Sequence, residues 1–158
     1  MKDISDFLWG MYQEHTSQGR HHETQRASVT NFIIIVATAS LGFIANRGVS
    51  RDQWTFALFL IIIGLFGALF SAKQYERFRY HMEYARKYRE VLENLLNNGL
   101  TNIRSQAKLD HRKKHSSFLV NLHLHFFWTL FHLLISAIGV ILLIMTLLKP
   151  SHLFKIIQ

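Results

Sequence analysis

Ten histidines in a chain without cysteine pose the first chemical question, which is what imidazole is used for here. His15, His21, His22 and Glu23 are close enough in sequence to offer nitrogen and oxygen to a metal ion. Their spacing does not match the paired ligands of a closed zinc site, so no metal and no cofactor is expected. His132 is a different case, because it lies inside a long uncharged stretch. An imidazole changes charge near neutrality, so a ring of such histidines around a pore would act as a proton-operated gate, and His132→Phe would abolish its pH dependence. Without cysteine there is no thiolate and no disulfide framework. No phosphate-cradling glycine loop and no Gly-x-Ser-x-Gly elbow is present, so nucleophilic catalysis has no visible site.

One pair has a catalytic spacing. Arg104 is followed after six residues by His111, and Arg-x(4–6)-His is the pattern of HEPN ribonucleases, in which such residues promote attack of the RNA 2′-hydroxyl. The pattern is loose in a chain this rich in Arg and His, and the chain is expected not to be an enzyme. Cations interleaved with Tyr75, Phe78, Tyr80, Tyr84 and Tyr88 would also suit nucleic acid, through phosphate attraction and base stacking. Retention of cations on the inner side of a membrane and attraction to anionic headgroups explain the same charge, so nucleic acid is not the expected partner.

The elements that must position these residues are membrane spans. Residues 27–46, 54–72 and 116–148 contain no Asp, Glu, Lys or Arg, and are 20, 19 and 33 residues long. About 20 apolar helical residues cross a hydrocarbon core roughly 30 Å thick. Three spans are therefore expected. A secretory signal is the alternative for the first, but a polar stretch precedes it and no small-x-small cleavage site follows. Eleven of the 18 Lys and Arg residues fall between Lys73 and Lys114, with five acids, an excess of six positive charges. The N-terminus and this segment should be cytoplasmic, with the 47–53 link and the 149–158 tail outside.

The link RGVSRDQ is short and turns on Gly48, so the first two spans should form an antiparallel hairpin, with Trp54 at the interface. Within the second span Gly64, Ala68 and Ala72 have small-x-x-x-small spacing, with Gly67 and Ser71 beside them, which lets helix backbones approach closely. No proline or glycine occurs from Lys73 to Asn98, so the second span should run on as one long helix. Its Tyr75, Phe78, Met82, Ala85, Leu92 and Leu96 form an apolar face, and Glu83 with Lys87 or Arg89 with Glu93 can pair along the surface. That face needs a partner. Asn97-Asn98-Gly99 is a helix stop, and Thr101 or Asn102 restarts a helix. At the N-terminus Ile4, Phe7, Leu8 and Met11, with Trp9 beside them, give a short amphipathic helix capped by Asp3 or Ser5. It would lie at the inner membrane surface or pack against its neighbours.

The third uncharged stretch is too long for one perpendicular span. Its membrane portion is placed at 128–148, with 116–127 continuing the helix below the inner surface. Along it Asn121, His125, Thr129, His132, Ser136 and Gly139 recur every three or four residues, within an arc of roughly 80°. Polar groups at membrane depth must face protein or water. The seam therefore either lines a water-filled path between copies or holds His132 against a neighbouring helix. Both readings favour an oligomer.

Two segments, YQEHTSQGRHHETQR at 12–26 and YERFRYHMEYARKYR at 75–89, resemble the RipA family of octameric bacterial membrane proteins. The layout is also similar to membrane accessory proteins of RNA-targeting CRISPR systems and to SLATT-type membrane effectors of phage defence. The resemblance implies a homo-oligomer of about eight copies in the bacterial inner membrane, forming a pore when a cytosolic defence partner triggers it.

The expected molecule is an all-α, three-span membrane protein, in an oligomeric ring that forms or gates a pore, with membrane lipids and its own copies as partners. Its parts are a cytosolic or interfacial helix at 1–26, a transmembrane hairpin at 27–72, a cytosolic helical region at 73–115, a juxtamembrane and third transmembrane helix at 116–148, and an external tail. The alternatives are a non-conducting scaffold that recruits a cytosolic partner and a membrane-tethered ribonuclease.

Overall fold

Helix-forming residues run through the chain with its one proline at position 150, and the computed structural model is correspondingly helical. It describes residues 2–96, 100–114 and 124–148. Helix α1 covers Lys2–Arg47, α2 covers Trp54–Leu96, α3 covers Leu100–Lys114 and α4 covers Leu124–Leu148. No strand occurs among the described residues. Three of these helices, α1, α2 and α4, are long and apolar enough to cross a membrane.

The hairpin turn forms as its sequence demands. Gly48 takes φ 71°, the left-handed conformation that ends a helix and that a side chain disfavours. Ser50 is extended, and its carbonyl accepts the Gln53 N–H at 3.1 Å, closing a single 3-10 turn over Arg51–Gln53 before α2 begins. Trp54, at the start of α2, remains exposed.

The long helix expected after the second span is present, since α2 passes Lys73 without interruption and ends at Leu96. The N-terminal segment differs from expectation. Residues 2–26 are not a separate short helix but the first part of α1, continuous with the first span. The onset of the uncharged run at residue 27 changes the solvent a helix meets, not its backbone hydrogen bonds, and nothing near that boundary breaks them. Helix α3 restarts at Leu100, ahead of Thr101, and ends in the polar residues Asp110 to Lys114. Expectations for residues 97–99, 115–123 and 149–158, the last including the external tail, lie outside the described residues.

The helices form two compact units, one from described residues of Met1–Glu23 and Tyr75–Leu124, the other from those of Thr24–Gln74 and His125–Gln158. In the second unit Arg26, Thr30, Ile33, Ala37, Ser40 and Ile44 are buried along α1, stepping by four and three residues as a coiled-coil face does. Its core joins Ile33, Ala37, Ile44, Leu60, Ile63 and Ile135. In hydrocarbon such a core is held by close packing and polar contacts, since lipid tails solvate leucine as well as protein does.

In the first unit the end of α2 packs antiparallel to the start of α1. Gly19 sits over Phe78 and Met82, where a Cβ would lie 3.1 Å from the Met82 sulfur. Ala85 is 1% exposed, Tyr75, Phe78, Met82 and Leu92 are partly buried, and Leu96 is exposed. The apolar face of α2 thus finds cover within its own chain. Arg89 pairs with Glu93 at 3.5 Å, and Glu83 lies 3.6 Å from Arg86 rather than pairing with Lys87.

Candidate functional site

In the span unit the polar residues of α4 converge on α1 and α2. His132 is 1% exposed, and its Nε2 lies 3.1 Å from Oγ1 of Thr30, itself 1% exposed. Its ring rests on α2 at Gly67, where a Cβ would overlap the imidazole. One turn away, a Cβ on Gly64 would fall 2.6 Å from the Ser136 nitrogen and 2.8 Å from the His132 carbonyl oxygen. From the other side, a Cβ on Gly139 would fall 2.8 Å from the Ile61 nitrogen. Backbones in such contact leave no room for any side chain larger than hydrogen.

The described part of the seam is therefore the face by which α4 packs inside the chain. Ser136 and Gly139 are buried, and His125 and Thr129 are half-buried, the Thr129 hydroxyl reaching the His125 carbonyl at 3.4 Å. Asn121 lies outside the described residues. On α2, Gly64 and Gly67 meet α4 and Ala68 and Ser71 are also buried, whereas Ala72 is exposed. The buried small residues accordingly step 64, 67, 68, 71, with the close backbone approach at 64 and 67, and leave out Ala72.

The level of His132 in the membrane follows from its neighbours. The Arg26 guanidinium lies 5.8 Å from the centroid of the Trp128 ring, and Thr30 and His132 are each four residues further along their helices. His132 is thus about one turn, roughly 6 Å, beyond Arg26 into the uncharged stretch. Two buried polar atoms of this unit, His132 Nδ1 and Ser71 Oγ, have no hydrogen-bond partner among the described residues.

A polar face that sequence reasoning missed lies on α1. Ser28, Asn31, Thr38, Gly42 and Asn46 are all exposed, with Ile35, 68% exposed, lying among them. At about 100° per residue they share an arc of roughly 80°, turned away from the buried Thr30, Ala37 and Ser40. A Cβ on Gly42 would meet nothing within 4 Å. The exposed side of α4 presents large apolar residues, among them Phe127, Leu134, Ile141 and Leu148, and α1 also exposes Phe32 and Ile35 beside its polar positions.

The helix-pair unit gathers histidines. His15 Nδ1 and His81 Nδ1 are 3.0 Å apart, so one ring carries the proton and the other accepts it. The His15 ring stacks near Tyr84 and Tyr88 at 5.1 and 5.6 Å, and His22 stacks on His81 at 5.3 Å. Burial holds the His81 pKa below its ordinary value, helped by His15, His22 and Arg77 and opposed by Glu14. His21, grouped with His15 and His22 as a conceivable ligand, is exposed. Among the described residues no three metal-binding side chains converge. Arg104 and His111 both lie exposed on α3, two turns and about 10 Å apart along its axis.

No family model, curated protein or solved structure matches this chain. Residues 12–23 and 75–89 face each other in the helix pair, at His15 and His81 and at Gly19 and Met82.

Proposed function

We propose that the protein is homo-oligomeric, that its copies meet through the outer face of α1, and that together they form or gate a pore. The observation that carries this reading is the exposed stripe of Ser28, Asn31, Thr38, Gly42 and Asn46 within a span, polar but for Ile35. Polar groups at that depth are costly unless they face other protein or water, and a ring of copies supplies both. The lining therefore moves from α4, whose seam is used inside the chain, to α1. A RipA-like ring of about eight copies, the bacterial inner membrane, a cytoplasmic N-terminus and a defence partner as trigger belong to the same proposal, supported by the charge distribution and the two resembling segments.

Native mass spectrometry of the detergent-released protein, with ion flux into liposomes, tests it. A defined oligomer whose flux falls at least about tenfold, some 1.4 kcal/mol in effective barrier, in an Asn31→Leu, Thr38→Val variant supports the reading. A monomer, or flux unchanged by that variant, overturns it.

One observation favours a second reading, a scaffold that conducts nothing. Ile4, Phe7 and Trp9 of the helix-pair unit are exposed, as are Val91 and Leu95. Such surface on a soluble part suits a protein partner. A stable oligomer without flux moves the assignment there.

A further inference from the structure

At the hairpin end of the span unit a pocket of about 400 Å³ is lined by Phe43, Arg47, Ser50, Asp52, Gln53 and Phe56. Its size is within the range of small-ligand sites, and it lies where the uncharged runs of α1 and α2 end, at the level of lipid headgroups. Its chemistry is divided. The Arg47 guanidinium stacks 4.6 Å over the Phe43 ring, and the Phe43 and Phe56 rings lie 4.6 Å apart. Asp52 supplies the opposite charge. Gln53 is 4% exposed, and its Oε1 is a buried acceptor with no hydrogen-bond partner among the described residues. An amide oxygen so placed costs free energy until a donor reaches it.

We infer that this pocket binds the headgroup of an ethanolamine phospholipid of the adjoining leaflet, phosphate to Arg47 and ammonium to Asp52 and the Gln53 oxygen. The ligand must carry an anion for Arg47, a cation for Asp52 and an N–H donor for Gln53, with an apolar body for the two rings. Choline headgroups lack the N–H donor. Glycerol headgroups lack the cation, and serine headgroups bring a second carboxylate toward Asp52. Ethanolamine meets all four conditions. The site is built from one chain and does not depend on the number of copies.

Native mass spectrometry of the full chain tests the site by counting lipids retained from mixed micelles containing phosphatidylethanolamine, phosphatidylcholine and phosphatidylglycerol in equal amounts. Preferential retention of phosphatidylethanolamine is expected, falling about tenfold in Gln53→Met and in Asp52→Asn while phosphatidylglycerol retention is unchanged. Asp52 is exposed, so the second variant reports on binding even if the first disturbs packing. Glycerophosphoethanolamine added in excess should not displace the lipid, since it lacks the acyl chains that anchor the headgroup. Equal retention of the three lipids, unaltered retention in Asp52→Asn, or displacement by the soluble headgroup overturns the inference.

Discussion

Thr30 and His132 are separated by 102 residues in sequence and joined by a 3.1 Å hydrogen bond between two fully buried side chains, which fixes α4 against α1. Thr30→Val keeps the shape and strands Nε2 without a partner, at a cost of about 1–3 kcal/mol. Thermal unfolding in detergent should show a clear loss for Thr30→Val and little for Thr30→Ser. In the His132→Phe background Thr30→Val should cost much less. Equal losses in both backgrounds would show that the bond contributes nothing.

Gly64 and Gly42 make a second comparison, because one is pressed against α4 and the other is open. Gly64→Ala forces the α2 and α4 backbones apart and should destabilise the fold by about 1–3 kcal/mol, as overpacking does. Gly42→Ala should be neutral or slightly stabilising in the same melting experiment, since alanine is the better helix former. A Gly64→Ala protein that melts like the parent would contradict the close contact.

Gly42 lies on the stripe proposed to join copies, so a bulky residue there should act on assembly alone. Gly42→Leu is expected to lower the copy number seen by native mass spectrometry while each chain keeps its helical circular dichroism. An unaltered oligomer would place the interface elsewhere.

His15 and His81 predict a pH response whose sign is fixed. His81 titrates below its ordinary 6.5 in the folded chain, so just below that pH the unfolded chain binds more protons. Stability is then fully present above about pH 6.5 and falls as the pH drops toward the folded-state value. Melting temperatures compared across this window should decline in the parent and decline less in His81→Gln. Parallel declines in the two proteins would show that other groups set the response.

Arg104 and His111 stand two turns apart on one exposed helix face, and the purified protein is expected to leave RNA intact. Cleavage of a labelled RNA that disappears in His111→Ala would establish the ribonuclease reading instead.

The three spans, the Gly48 turn and the uninterrupted α2 were legible because each depends on local properties: hydropathy, a glycine between two uncharged runs, and the lack of helix breakers. The faces of the helices were harder to assign. Helix α1 carries small or polar residues on both sides, Thr30, Ala37 and Ser40 inward and Ser28, Asn31 and Thr38 outward. No periodicity of hydrophobicity separates the two sides, and only the packing of α2 and α4 chooses between them. On α4 the seam itself was visible, but not whether it faced its own chain or another copy. Reading residues 1–26 as a short separate helix removed the partner that α2 finds in α1, which made more burial seem to require more copies. Gln53 gave no signal at all, since its importance comes from a pocket that the folded turn creates.

The groove at Gly64 and Gly67 also sets an order of events during synthesis. Thr30 and both glycines are made before His132, and chains grow at roughly 5–20 residues per second, so the 65 residues from Gly67 to His132 take about 3–13 s. For that interval the newly inserted α1–α2 hairpin exposes a notch and an unmatched hydroxyl to lipid. Whatever covers the hairpin during those seconds occupies the groove that α4 must enter, so closing the chain on itself requires its displacement.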